Sequence, residues 1–187
     1  MKRQLQPLVR GLAPALALSV ILGAGCGGGG TSAEEEWAGS VCTEISDWKG
    51  QVQQTANTVL EKLKSPQAGT LDAIDAEIQK AVSATRDLAS NLKSLDPPNT
   101  DAGKQAKQQV DMLTSQLEAT ATQAEQTLDS VPKGASASEV VQDLAPLAPA
   151  IQSLAEQTSS ALNSVKESGE SIKEGFEQAD SCKQLNS

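Results

Sequence analysis

The sequence predicts an all-α protein, an up-down-up-down four-helix bundle with a short extra helix before the last long helix. Two observations lead to this fold class. Apolar residues recur at alternating spacings of three and four in four long segments, as in helices that pack through a narrow stripe. Prolines and glycines occur in the short connections between these segments. Short connections of this kind join helices that are antiparallel neighbours.

The first two helices are predicted at about 35–64 and 70–95. The first ends at the segment 65–69, which contains a proline and a glycine. The second begins behind Thr70, a residue type that caps the free N–H groups of a first turn, and stops before Pro97. The second helix shows the clearest heptad pattern in the chain, with stripe positions at Leu71, Ile74, Ile78, Ala81, Thr85, Leu88, Leu92 and Leu95.

The third helix is predicted at about 101–129, with Thr100 as its capping residue. Small and apolar residues form its stripe, at Ala106, Val110, Leu113, Leu117, Ala121, Ala124 and Leu128. The pattern ends before Pro132, which cannot continue a helix.

The last part of the chain is predicted to hold two helices. Ser136 and Glu139 form a capping box, and two prolines then fall inside the apolar pattern that follows. One helix over 137–183 would be roughly 70 Å long, against about 40–45 Å for the other helices. We therefore expect a short helix at about 137–145, crossing one end of the bundle, and a long one at about 149–183.

The N-terminal segment has the layout of a secretory signal. Lys2, Arg3 and Arg10 precede an apolar run at 12–22, and small residues follow at 23–25. The run is shorter than the roughly 20 apolar residues that a membrane-spanning helix needs. The segment therefore predicts export rather than a transmembrane anchor.

The segment LGAGC at residues 22–26 resembles the lipobox of bacterial lipoproteins, in which small residues precede a cysteine that receives a lipid before the signal is cleaved. Leu22 lies four residues before Cys26, whereas the commonest pattern has it three before. The resemblance implies a lipidated Cys26 and attachment to the extracytoplasmic face of the cell membrane. The GGGG run that follows resembles the tether of many actinobacterial lipoproteins. The alternative is an ordinary signal peptide with an incidental cysteine.

These features divide the chain into a signal peptide at 1–25, a lipidated cysteine with a flexible tether at 26–34, and a helical bundle at 35–187. Behind the signal, 12 basic residues stand against 24 acidic ones, so the net charge of the mature part is −12. Phosphate backbones and anionic lipid headgroups repel such a surface. We therefore predict no nucleic-acid binding, and attachment to the membrane only through the lipid on Cys26.

Cys42 and Cys182 are predicted to form a disulfide. Three cysteines in an exported chain leave one unpaired, and the lipid accounts for Cys26. The bond would close a loop of about 140 residues, worth roughly 5 kcal/mol in the chain-entropy model. If the first and fourth helices are antiparallel neighbours, it also sets a register in which every facing pair is apolar: Ile45 with Ala179, Trp48 with Phe176, Val52 with Ile172, and Val59 with Val165.

The residue types disfavour catalysis and metal binding. The chain has no histidine, which excludes Ser-His and Cys-His sites, histidine-bearing metal centres and the Glu-x-x-His pairs of di-metal bundles. We predict no catalytic residue, no metal site and no cofactor. A row of carboxylates has the residue type of a calcium site. Each carboxylate follows a core position by one or two residues, and lysines alternate with the row. This placement favours a solvated helix face. The row consists of Glu167, Glu170, Glu174 and Glu177.

Two features leave the function open. The aromatic residues Trp37, Trp48 and Phe176 form either part of the core or a ligand pocket, and the Ala-rich stripes favour core. The apolar residues Val140, Val141, Leu144 and Leu147 surround the prolines at the end of the bundle that is distal to the lipid anchor. They form either a lid on the open end or a docking site for an envelope partner.

The leading hypothesis is a non-enzymatic, lipid-anchored helical bundle that acts through protein contacts in the cell envelope. The alternative is a carrier or sensor that binds a small apolar ligand between its helices.

Overall fold

The computed structural model describes residues 30–64, 69–132, 136–144 and 147–185. Residues 31–187 form one compact unit, and Cys26 with the predicted signal lies outside the described residues. Every regular element in the described ranges is an α-helix, so the all-α prediction is confirmed. The helices are α1 (Ala33–Lys64), α2 (Thr70–Ser94), α3 (Asp101–Asp129), α4 (Ala137–Leu144), α5 (Leu147–Lys166), α6 (Glu170–Gln178) and α7 (Asp180–Leu185).

Three long helices, α1, α2 and α3, pack in chain order. Trp48 on α1 donates its indole N–H to Thr85 Oγ1 on α2 at 3.0 Å, and Asn91 on α2 donates to Glu44 on α1 at 2.7 Å. Residue numbers fall along α1 as they rise along α2, so the two helices are antiparallel. The stripes predicted for α2 and α3 contribute six side chains to the main apolar core: Leu88, Leu92, Ala106, Val110, Leu113 and Leu117.

The beginnings of α2 and α3 differ in how they are capped. Thr100 is the N-cap of α3, as predicted, and its Oγ1 accepts a hydrogen bond from the Gly103 N–H at 3.0 Å. The prediction for Thr70 is wrong, because Thr70 is already the first helical residue of α2. Gly69 occupies the cap position in the left-handed conformation, with φ 81°.

The predicted long helix at 149–183 is wrong, because α5, α6 and α7 share that stretch. α5 begins at Leu147, which puts Pro149 in its first turn, where a missing N–H costs no helical hydrogen bond. α5 packs against α3 and ends beside the start of α3. A Cβ on Gly169 would lie only 2.6 Å from the Cβ of Ala102, in the first turn of α3.

The chain reverses at residues 167–169 because α5 has reached the end of the bundle there. A straight continuation would carry Ile172 and Phe176 beyond the helices that could cover them. The reversal instead buries both side chains in the main core, with 0% and 2% of their surface exposed. Removal of this apolar surface from water is the driving force for the turn.

α6 and α7 run beside α1 and in the same direction. The facing pairs rise together in residue number: Gly175 with Glu34, Phe176 with Trp37, Ser181 with Gly39, and Cys182 with Cys42. The antiparallel register predicted from the disulfide is therefore wrong, although the disulfide itself is present. Its premise was an unbroken fourth helix.

The four predicted pairs show how the register changes. Phe176 contacts Trp37, while its predicted partner Trp48 bonds to Thr85. Ala179 lies beside Gly39 rather than Ile45, with 3.8 Å between its Cβ and an ideal Cβ on Gly39. The other two predicted pairs are displaced as well. Ile172 precedes Gly175 and so lies toward the start of α1, away from Val52, whereas Val59 and Val165 belong to different apolar clusters.

A second apolar cluster lies at the other end of the bundle, around Ile74, Ile78 and Leu128. The short helix α4 contributes Leu144 to this cluster. The capping box predicted at the start of α4 is confirmed: the Ser136 N–H donates to Glu139 at 2.7 Å, and the Glu139 N–H donates to Ser136 Oγ at 3.4 Å.

Candidate functional site

The disulfide between Cys42 and Cys182 is confirmed. It joins α1 to α7 with a Cα–Cα distance of 5.0 Å across a sequence separation of 140. Each cysteine has 1% of its surface exposed. Sγ of Cys182 lies 3.3 Å from the carbonyl oxygen of Ala38, as a packing contact, because a disulfide sulfur carries no proton to donate. Both sulfurs are therefore buried within the helix contact that they join.

We call residues 170–185 the strap, since they form α6 and α7 and lie along the first part of α1. The two backbones lie close together at Gly175, where a Cβ would lie 2.7 Å from the carbonyl carbon and oxygen of Glu34. Farther along, the Ser181 hydroxyl donates to the carbonyl oxygen of Gly39 at 2.8 Å. Only glycine permits the first contact, so the sequence of the strap fits this face of α1 closely.

The aromatic residues of this end belong to the core, as the favoured interpretation predicted. Trp37, Trp48 and Phe176 are 5%, 4% and 2% exposed and lie in the same apolar cluster. The rings of Trp37 and Phe176 meet edge to face, with centroids 6.1 Å apart. Lys166 Nζ lies 5.9 Å from the centre of the Phe176 ring, close enough for a cation–π contact across the turn between α5 and α6.

The two indoles differ in their hydrogen bonding. Trp48 Nε1 donates to Thr85 Oγ1, which in turn donates to the Ala81 carbonyl at 2.8 Å. Trp37 Nε1 is buried and has no acceptor among the described residues. A buried donor without an acceptor loses its hydrogen bond to water and gains none in return. This orphan N–H belongs to a ring that packs against Phe176 of the strap, and it was not foreseen from the sequence.

The apolar tip is only partly described. Leu144 is 7% exposed and packs in the second cluster, which supports the lid interpretation at that position. The side chains of Val140, Val141 and Leu147 lie outside the described residues, so the predicted docking role for them stays a prediction. The exposed large apolar side chains in the described part of the chain are Leu60 on α1 and Met112 on α3, each 53% exposed.

The acidic row on the last helices is a solvated face, as predicted. Glu167, Glu170, Glu174 and Glu177 are all exposed, and Lys173 Nζ lies 3.7 Å from Glu170. In the described ranges, no group of three His, Cys, Asp or Glu side chains is arranged to hold a metal ion.

Glu125 and Glu139 are surface carboxyls whose pKa is lowered by hydrogen bonding. The Arg86 guanidinium binds both oxygens of Glu125, and this side-chain hydrogen bonding, more than the charge itself, holds the pKa of Glu125 below its usual value. The pKa of Glu139 is lowered by hydrogen bonds from the Ser136 hydroxyl and then from its backbone N–H. The first pair links α2 to α3, and the second stabilises the start of α4.

None of the described helices is both long enough and apolar enough to cross a membrane. Comparison of the chain with protein-family models, with curated proteins and with solved structures finds no match.

Proposed function

We propose that this chain is an exported lipoprotein, held on the extracytoplasmic face of the cell membrane by a lipid on Cys26. The mature bundle is non-enzymatic and acts through protein contacts in the cell envelope. The observation that carries the proposal is how the cysteines are used. Cys42 and Cys182 pair with each other, which leaves Cys26, the cysteine within the lipobox-like segment, available for the lipid.

The signal-like segment and the disulfide support the same compartment. Basic residues, a short apolar run and small residues lead to Cys26 in the order of a secretory signal. Disulfides persist in oxidising compartments outside the cytosol. Export explains both features with one assumption.

The start of α1 supports a short connection to the membrane. α1 begins at Ala33, where Ser32 Oγ accepts a hydrogen bond from the Glu35 N–H at 3.0 Å. Six residues separate Cys26 from Ala33, and a glycine-rich linker of that length has an r.m.s. reach on the order of 15 Å. In the proposal, the disulfide end of the bundle is therefore the membrane-proximal end, and α4 lies toward the distal end.

Protein contacts are the proposed mode of action because of the residue types. The chain lacks histidine, the side chain most often used for proton transfer near neutral pH. Its acidic mature part repels nucleic acid and anionic headgroups. An acidic helical surface held close to the membrane suits an adaptor or a scaffold.

The anchor is tested by labelling a bacterium that expresses the full chain with radioactive palmitate. We expect the wild-type protein to carry label in the membrane fraction, and Cys26→Ser to carry none. The matched control is the double variant Cys42→Ser/Cys182→Ser, which should still be labelled. Label retained by Cys26→Ser would overturn the proposal.

The orphan N–H of Trp37 favours one second candidate, a carrier or sensor of a small apolar ligand. A ligand with a carbonyl or ether oxygen could accept this hydrogen bond beside the Phe176 ring. Native mass spectrometry of protein purified from its own host separates the two functions. A stoichiometric small molecule that is lost in Trp37→Phe supports the carrier, whereas a co-purifying protein with no small molecule supports the leading proposal.

A further inference from the structure

The strap is built from helices too short to be stable alone. α6 has 9 residues and α7 has 6, whereas isolated helices shorter than about 12–15 residues are marginal in water. Extended backbone at Ala179 separates them, so they do not reinforce each other as one helix. Their structure therefore depends on contact with α1 and on the disulfide.

The strap covers an apolar face of α1. Trp37 meets Phe176 of the strap and Cys42 is bonded to Cys182, and these two α1 residues are 5% and 1% exposed in the docked structure. The strap is joined to α5 only by the turn at 167–169, and its far end is attached through Cys182. α6 packs mainly against α1 and also touches α3 and α5, whereas α7 packs against α1 and α6. The strap can therefore move away while the packing of α1 on α2 and of α2 on α3 is kept.

Two features oppose docking. The Trp37 N–H has no acceptor beneath the strap, whereas in an undocked state it would bond to water. The first turn of α1 carries Glu34, Glu35 and Glu36, and Gly175 of the strap lies directly against Glu34. The neighbouring strap residues Glu174 and Glu177 are also acidic and exposed, so docking concentrates negative charge at this end of the bundle.

We infer that the Cys42–Cys182 disulfide is a latch that keeps the strap docked. With the bond formed, the strap covers α1. When a dithiol reductant supplies two electrons and two protons, the S–S bond breaks, both cysteines become thiols and the reductant becomes a disulfide. The strap then leaves α1 and exposes the Trp37 face, while α1, α2, α3 and α5 stay folded. The inference does not depend on the lipid anchor.

The burial of the sulfurs determines how the latch responds. With 1% of each cysteine exposed, a reductant reaches the bond only when the strap has already opened in part. Reduction is therefore slow in native conditions. At a saturating concentration of reductant, the rate of reduction equals the rate at which the strap opens and does not depend on which reductant is used.

Hydrogen exchange measured by mass spectrometry tests the latch on the full mature protein. The oxidised protein is compared with the double variant Cys42→Ala/Cys182→Ala. When only the strap undocks and the other helices stay folded, the bond restrains a mobile loop of about 15 residues, from the turn at 167–169 to Cys182. We expect loss of this restraint to lower protection of residues 170–185 by about 100-fold, while protection in α2 and α3 stays the same. Unchanged protection in the strap would overturn the inference, and so would an equal loss of protection in α2 and α3.

Trp37 fluorescence gives a second readout that does not rely on replacing the cysteines. In a Trp48→Phe background, Trp37 is the only indole, and acrylamide quenching reports its exposure. We expect reduction by dithiothreitol to raise quenching and shift emission to the red, with helix content by circular dichroism reduced only by the strap. No change in quenching after complete reduction would contradict the latch.

Discussion

At the scale of single residues, close backbone contact decides which side chains the strap can carry. Gly175 lies in the middle of α6, where glycine is intrinsically unfavourable relative to alanine. A Cβ there would meet the Glu34 backbone at 2.7 Å. The close approach to α1 outweighs the local preference for a residue with a side chain.

We predict that Gly175→Ala destabilises the protein by about 1–3 kcal/mol, the usual cost of overpacking. The matched control is Gly50→Ala, also inside a helix, where no atom lies within 4 Å of an added Cβ. The control should be neutral or stabilising by about 0.5–1 kcal/mol, from helix propensity. Urea unfolding of the three proteins measures both. Equal effects at the two positions would contradict the contact with Glu34.

The Arg86–Glu125 pair makes a prediction about ionisation. The folded-state pKa of Glu125 is lowered, first by hydrogen bonding to Arg86. The ionised pair therefore stabilises the fold at pH values above the unfolded-state pKa, and this contribution is lost as the pH falls through the lowered folded-state pKa.

The Arg86→Gln variant should raise the pKa of Glu125 toward the ordinary value of a glutamate carboxyl, because the hydrogen bonds from the guanidinium are lost. Arg86→Lys should return it only in part, because an ammonium group cannot bind both oxygens in the same fork. NMR titration of the Glu125 carboxyl carbon measures the value in each protein. The same pKa in wild type and Arg86→Gln would show that the pair is not formed in solution.

At the scale of helices, capping and proline placement account for most of the boundaries. α3 begins behind Thr100 as expected, and its end at Asp129 also matches the prediction. Gly69 rather than Thr70 caps α2, a distinction that depends on backbone angles and not on residue type. Helix starts are therefore predictable to within about two residues from such signals.

We predict that Thr100→Ala destabilises the protein by about 1 kcal/mol, because the Gly103 N–H loses its acceptor. Thr122→Ala is the control, since Thr122 is exposed within α3 and its hydroxyl only donates back to the Glu118 carbonyl at 2.9 Å. Thermal unfolding should separate the two variants. A control as destabilised as Thr100→Ala would rule out the cap as the cause.

The reversal between α5 and α6 was not predictable from periodicity. The apolar residues keep helical spacing through the turn, at Val165, Ile172, Phe176 and Ala179. The pattern therefore predicts one continuous helix. The available signals were Gly169 and Gly175, two glycines in a stretch that the prediction treated as one long helix. The close approach of Gly169 to Ala102 marks where α5 reaches the end of the bundle, and periodicity does not show that position.

At the scale of the whole molecule, the protein is three long helices completed by α5 and the strap. The pairing of Cys42 with Cys182 followed from counting cysteines, which requires no geometry. The register required an assumed direction for the last helix, and that direction was wrong. The orphan N–H of Trp37 could not be predicted at all, because it depends on which atoms surround a buried ring.

The central claim is that the mature chain begins at a lipidated Cys26 and contains a disulfide between Cys42 and Cys182. Intact-mass spectrometry of protein from the membrane fraction, alkylated without reduction, measures both properties at once. We expect the mass of residues 26–187 less two hydrogens, plus a diacylglyceryl group, with no alkyl adduct. A mature mass without lipid, or two alkylated cysteines, would contradict the account.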